Sequence, residues 1–292
     1  MFTDITGKKR MKLGLHIHTR RSDGRATPEQ SAIYYKEAGY DAVAFTDHWK
    51  WNGDGEVCGL RILPGIEYNN ITDGENVKDA RKGVFHIVGI GTQSEPDVKE
   101  DATPQQMIDA INAAGGIAVL AHPEWSLETV DMVRPLKGIG ATEIFNTVSD
   151  IRAYSGGFVD RAAGEGMIFP LFASDDVHSY TWDKCVASVM VDVTDGKTDT
   201  LSLVSKLKAG EFYSTCGPEV HISFDGERAT VLTSPVKKIA VMSNAVCSDG
   251  RYTVGDALTQ TVYYPQPNET FLRAEVFDAE GRRGWSNIIR IR

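Results

Sequence analysis

The chain has 292 residues, of which 41% are hydrophobic and 24% charged, with a net charge of −9; these are values of an ordinary globular protein with material for roughly two domains. The acidic balance excludes a broad footprint on a nucleic-acid duplex, which needs a basic face. No apolar run is long enough for a signal peptide or membrane span, and Cys58, Cys185, Cys216 and Cys247 form neither a Cys-x-x-Cys pair nor a disulfide framework, so a cytoplasmic protein with reduced thiols is expected.

In chain order the first expected element is a short strand over residues 13–18, where Leu13, Leu15 and Ile17 alternate with Gly14, His16 and His18 and place both histidines on one face. Thr27-Pro28-Glu29 then opens a helix whose stripe is Ala32, Ile33, Tyr35 and Ala38, and Gly39 ends it. The run Asp-Ala-Val-Ala-Phe-Thr-Asp-His at 41–48 fits a buried parallel strand with a polar tip at its carboxyl end. Strands are expected at 61–67 and 85–91, with a polar loop between them. A helix follows over 103–113, then strands at 115–122 and 141–146, a helix at 157–165 and a strand at 168–176. About seven βα steps close naturally into a parallel α/β barrel. After a helix at 201–209 the pattern changes to short alternating strands with turns at Asp225-Gly226, Asp249-Gly250 and Glu280-Gly281, which predicts a small β-sandwich beyond a boundary near Gly217. Its Tyr263, Tyr264 and Trp285 suit either a binding face or core packing.

Six of the seven histidines (16, 18, 48, 86, 122 and 178) fall in or at the carboxyl ends of expected strands, where parallel α/β folds gather their chemistry. His221 stands apart in the β-rich tail and reads as an ordinary surface or packing histidine. Asp23, Asp47, Glu67 and Asp176 accompany the six, and imidazole nitrogen with carboxylate oxygen is a usual mixed donor set for divalent metals. His16 and His18 alone equally describe two surface histidines on a strand, and His86 or His122 alone a structural one; together they point to a metal site. Asp47 either orients a histidine from behind or caps a turn.

The set His-x-His with Ser-Asp-Gly, Thr-Asp-His, Gly-Ile-Glu, His86, Ala-His-Pro at 121–123 and Asp-Asp-x-His at 175–178 resembles the polymerase and histidinol phosphatase (PHP) family of metal-dependent phosphoesterases over residues 12–215. The tail resembles the small β-domain of the branch that includes carbaryl-type ester hydrolases. The resemblance implies a distorted parallel (β/α)7 barrel over residues 1–216 and a sandwich-like all-β domain over 217–292. It implies two to three divalent ions, manganese, iron or zinc: one held by His16, His18, Glu67 and Asp176, a second by Glu67, His86 and His122, a third by Asp23, His48 and His178. Several family members carry histidine where Asp23 stands here, and Asp175 leaves the Asp176 assignment open by one position. His16, His18, Glu67, Asp176 and His178 are the implied catalytic residues.

Three dications over three carboxylates would leave a pocket of about +3, suited to an anion. The expected activity is hydrolysis of a small phosphomonoester by a metal-bound hydroxide, with Arg20, Arg21 and Arg152 as candidate phosphate contacts. The alternatives are hydrolysis of a carboxylic or carbamate ester at the same metals and, last, a non-catalytic binding module.

Overall fold

The computed structural model describes residues 1–70, 83–247 and 249–292, so the loop expected between 67 and 85 falls largely outside it. The chain opens with β1 (Phe2–Thr3), β2 (Lys9–Gly14), α1 (Pro28–Glu37) and β3 (Ala42–Ala44), followed by β4 (Gly55–Val57), β5 (Leu60–Leu63), β6 (Gly65–Asn69) and β7 (His86–Ile90). Next come α2 (Pro104–Ala113), β8 (Ile117–Leu120), α3 (Val130–Val133), β9 (Ile139–Asn146), α4 (Gly156–Gly164) and β10 (Leu171–Ser174). β11 (Ser188–Asp192), α5 (Thr200–Ala209) and β12 (Phe212–Thr215) lead into six further strands. These are β13 (Val220–Phe224), β14 (Ala229–Met242), β15 (Tyr252–Tyr263), β16 (Phe271–Phe277), β17 (Arg283–Ser286) and β18 (Ile289–Arg290). Among the described residues no helix is long and apolar enough to cross a membrane.

Helix starts follow their local chemistry. Thr27 accepts from the Gln30 amide and the Gln30 side chain returns to the Thr27 amide, a capping box ahead of Pro28; Thr103, Gln106 and Pro104 repeat it at α2. Such reciprocal caps satisfy amides that a helix's first turn leaves open.

The architecture is mixed α/β. β2, β3 and β5 run parallel, while β11 lies antiparallel to both β2 and β12. A second sheet runs β6 to β10, in which β7 is antiparallel to both its neighbours and β8, β9 and β10 are parallel. Single parallel bridges, His48 to Glu67 and Ile17 to Val177, join the two sheets into a ring. The uniformly parallel arrangement expected from the sequence is thus broken at β7 and β11. The strand expected at 61–67 is also two strands: Pro64, which has no N–H to donate, separates β5 in one sheet from β6 in the other.

Leu13, Ala42, Ala44, Leu63, Val88, Val119, Ala141, Phe172 and Val189 pack together as one core. Ile66, Ile87, Leu120 and Ile144 pack in a second core with Ile108 and Ile111 of α2 and Phe158 and Ala162 of α4.

The tail is antiparallel and all-β, as expected, but its sheet is continuous with the ring: β17 pairs with β12 on one side and β16 on the other, within a sheet of 13 strands among the described residues. Trp285 of β17 is fully buried and stacks on Phe145 of β9 at 5.2 Å. Tyr263 is buried as well, which makes both core residues, whereas Tyr264 is exposed. Arg273 of β16, with no exposure, donates to both oxygens of Asp160 on α4 (2.7 and 2.8 Å), to Glu275 (3.1 Å) and to the Tyr154 hydroxyl (3.1 Å).

Candidate metal centre

β2 ends at Gly14, and residues 15–18 continue extended between two neighbouring segments. The Ile17 carbonyl accepts from Thr46 N (2.8 Å), His18 N donates to Val177 O (3.2 Å), and Asp176 N donates to His16 O (2.9 Å). These bonds bring the ends of β2, β3 and β10 together at the same level. The loop after His18 folds back tightly: at Gly24 a Cβ would lie 2.3 Å from the His18 carbonyl oxygen, so no side chain is admitted there.

Four side chains converge first. His16 Nε2 and His18 Nε2 lie 3.2 Å apart; Glu67 Oε2 is 3.2 and 2.9 Å from them, and Asp176 Oδ1 is 3.2 and 3.1 Å from them. All four are buried. The other Glu67 oxygen faces His86 Nδ1 at 2.8 Å and His122 Nε2 at 3.7 Å, and His48 Nδ1 lies 3.3 Å from Oε2. Asp23 faces His178 Nε2 (3.3 Å), His18 Nδ1 (3.4 Å) and His48 Nε2 (3.8 Å). All nine residues expected to bind metal are therefore in one cluster. Their proximities place His48 between Glu67 with His86 on one side and Asp23 with His178 on the other.

Glu67 Oε2 and Asp176 Oδ1 are buried yet have no hydrogen-bond partner, and neither has His86 Nε2. Buried carboxylate oxygens are normally paired, because an unpaired one costs its desolvation. Carboxylate oxygens and imidazole nitrogens that converge this closely fit divalent cations. The buried carboxylates make the site attractive to positive charge. Burial opposes charge on His16, yet Asp176, Glu67 and Glu143 outweigh it and hold the imidazole well above its ordinary value. His18 is raised likewise against its burial by Asp176, Asp23 and Glu67. Burial alone would raise Glu67, but His48, His16 and His86 hold it well below the usual carboxylate range. Burial pushes His86 down to about 4.

Backbone strain also gathers here. His122 (φ 29°) and Asp176 (φ 53°) both occupy the left-handed region, which costs a residue with a Cβ on the order of 1–3 kcal/mol and persists only where surroundings impose it.

The supporting residues are partly ones the sequence did not single out. Glu143, buried in β9, faces His16 Nδ1 with Oε1 (2.8 Å), and its Oε2 accepts from His122 N (2.9 Å) and Asn146 Nδ2 (2.8 Å). The one signal was an acid inside a strand otherwise built for burial. Asp47 caps the turn: it accepts from Thr19 N (2.7 Å), Ser22 Oγ (3.0 Å) and Asn52 Nδ2 (3.2 Å) and meets none of the histidines. Asp176, not Asp175, faces the cluster. Asp175 accepts from Tyr35 (2.7 Å), Thr147 (3.1 Å) and the amides of Val186 and Ala187, with burial pushing its carboxyl up to about 6.

The cluster floors a cavity of about 300 Å³ whose remaining wall is Trp125, Val148 and Ser149. None of Arg20, Arg21 and Arg152 lines it. Arg20 donates to the Arg25 carbonyl (2.8 Å), Arg21 to Asn52 and the Trp51 carbonyl, and Arg152 is exposed on a short 3-10 turn. A larger cleft of about 800 Å³ runs past Lys8, Arg10, Phe212 and His221, away from the clustered residues. His221 there lies 3.5 Å from Asp4.

No family model matches the chain. An uncharacterized protein of Methanocaldococcus jannaschii is 27% identical over 124 residues, 39% of this chain and 68% of its own. Among solved structures, a two-domain protein from Bacteroides vulgatus containing a predicted PHP-like metal-dependent phosphoesterase superposes with a TM-score of 0.54 at 12% identity, covering 99% of this chain and 98% of that one. An amidohydrolase from Chromobacterium violaceum gives 0.41 at 17% identity over 59% of this chain and 89% of its own. The first of these likenesses is one of fold, and it runs from end to end through both parts of the chain.

Proposed function

We propose that the protein is a metal-dependent phosphoesterase that hydrolyses a small phosphomonoester. The observation that carries this is the pair of buried carboxylates, Glu67 and Asp176, which each bring one oxygen to the His16 and His18 nitrogens at 2.9–3.2 Å. His16, His18, Glu67 and Asp176 would hold one cation, Glu67 with His86 and His122 a second, and Asp23, His48 and His178 a third. His48 is also near enough to Glu67 to serve the second. Divalent ions in such a set supply an activated water and neutralise the charge of a phosphoryl group.

The chain's own residues prepare that chemistry. The Glu143 carboxylate faces His16 Nδ1 and would hold that ring proton, so that Nε2 would be the nitrogen offered to a cation beside Glu67 and Asp176. Asp47 and Gly24 fix the loop that carries Asp23. Trp125 and Val148 narrow the cavity against bulk water. The likeness in fold to a PHP-like phosphoesterase agrees with the proposal.

A second reading has one observation in its favour. Among the described residues no lysine or arginine lines the cavity, which suits an uncharged carboxylic or carbamate ester attacked at its carbonyl. Hydrolysis of phenyl phosphate, diphenyl phosphate and phenyl acetate by manganese-loaded protein, with His16→Ala alongside, separates them. Phosphate release from the monoester, abolished in the variant, is the expected result. Turnover of phenyl acetate alone transfers the proposal to the carboxylic ester, and silence on all three leaves an unusual substrate or a binding module.

A further inference from the structure

Trp125 stands beside the clustered histidines. Its ring meets His122 edge-on at 4.9 Å and His86 edge-on at 5.7 Å, and with them lines the cavity. Trp125 is 37% exposed, so part of its side chain is open for a ligand to cover. The loop that presents it is closely specified. Ser126 N donates to His122 O (3.1 Å), Glu128 N to Pro123 O (2.9 Å), Leu127 N to Glu124 O (3.3 Å) and Glu124 N to Ser155 Oγ (3.3 Å). His122 at φ 29° and Leu127 at φ 57° bracket it in left-handed conformations. These bonds hold the indole beside the histidines. Val148 and Ser149, both short, form the rest of the wall.

We infer that Trp125 is a specificity platform on which a single planar aromatic ring of the substrate stacks while its phosphate lies among the clustered histidines. The inference rests on the phosphoesterase reading and names its substrate class: small aryl or heteroaryl phosphomonoesters in preference to aliphatic ones. A cavity of about 300 Å³ is at the small end for ligand sites and admits a phosphate with one ring, not a dinucleotide.

The test is calorimetric binding of phenylphosphonate and methylphosphonate, which are not hydrolysed, to the manganese-loaded protein and to Trp125→Phe and Trp125→Ala. Thermal melting confirms that each variant folds. Phenylphosphonate should bind about tenfold more tightly than methylphosphonate in the wild type, as expected of aromatic stacking added to burial. Trp125→Phe should keep most of that preference and Trp125→Ala reduce it below about threefold, with methylphosphonate affinity unchanged within about twofold. Equal affinities in the wild type, a preference that survives Trp125→Ala, or no binding of phenylphosphonate overturns the inference. Absence of phosphate release with the preference intact sinks the phosphoesterase reading and leaves the platform standing.

Discussion

Replacing Glu143 by glutamine tests whether the buried residues behind the cluster set metal affinity. The carboxylate faces donors on both sides: His16 Nδ1 at one oxygen, His122 N and Asn146 Nδ2 at the other. An amide satisfies only one side. With its oxygen toward His122 and Asn146, its NH2 forces the His16 proton onto Nε2, the atom that lies 3.2 Å from both Glu67 and Asp176. Flipped, it sets an NH2 against two donors, which leaves buried groups unpaired at a cost of about 1–3 kcal/mol. Loss of such an orienting partner weakens metal binding by about 10–100-fold, or about 1.4–2.7 kcal/mol. Calorimetric titration of chelator-stripped protein with manganese reads this directly, and denaturation without metal reads the stability cost separately. A manganese affinity for Glu143→Gln within about twofold of wild type would refute the argument.

Three further outcomes are expected. Chelation should lower the melting temperature and manganese restore it, with about 2.7 kcal/mol of stability per site at a hundredfold excess over Kd; His16→Ala should respond less than the wild type, keeping what the sites at His86 with His122 and at Asp23 with His48 and His178 contribute, and a wild-type melting curve that ignores chelator would sink the metal centre. Glu128 is buried with neither oxygen partnered, and burial pushes its carboxyl well above the usual range. The native state therefore binds more protons than the unfolded chain, and stability falls as pH rises from the unfolded value near 4.3 toward the native one. Glu128→Gln should remove that slope and gain about 1–2 kcal/mol at pH 8; identical pH–stability curves for the two proteins would contradict this. Arg273→Met strands Asp160, whereas Glu275 keeps Arg283 and the Tyr154 hydroxyl, and should cost about 3 kcal/mol in denaturant unfolding. A loss below about 1 kcal/mol would show that the ion pairs are dispensable.

Much of this architecture is legible in short-range chemistry. Thr27-Pro28 and Thr103-Pro104 mark helix starts because capping is settled within four residues. The histidines stood out because all six recur at one end of successive strands. Strand direction was not legible: nothing local in residues 86–90 reveals that β7 runs against both neighbours. Pro64 does carry a local signal, a missing N–H, but the continuous apolar pattern around it outweighed that signal in the expectation of one strand. At the site, Glu143 and Trp125 escaped notice because their significance lies in what they face. The arginines at 20, 21 and 152 drew attention by charge alone, yet two of them are occupied with backbone carbonyls or Asn52.

The placement of β17 between β12 and β16 has a consequence for how the protein comes to exist. Until residues 283–286 are available, β12 has an open edge and Phe145 lacks the indole that covers it. A nascent chain holding every clustered histidine would thus still carry a free strand edge at β12, the state most exposed to mispairing with another copy. Pairing across some 70 residues, as between Thr215 and Gly284, also makes the last step one of high contact order, and so a slow one. Damage at Trp285 would accordingly be felt as a shortage of protein, with the clustered residues unaltered in the molecules that do mature.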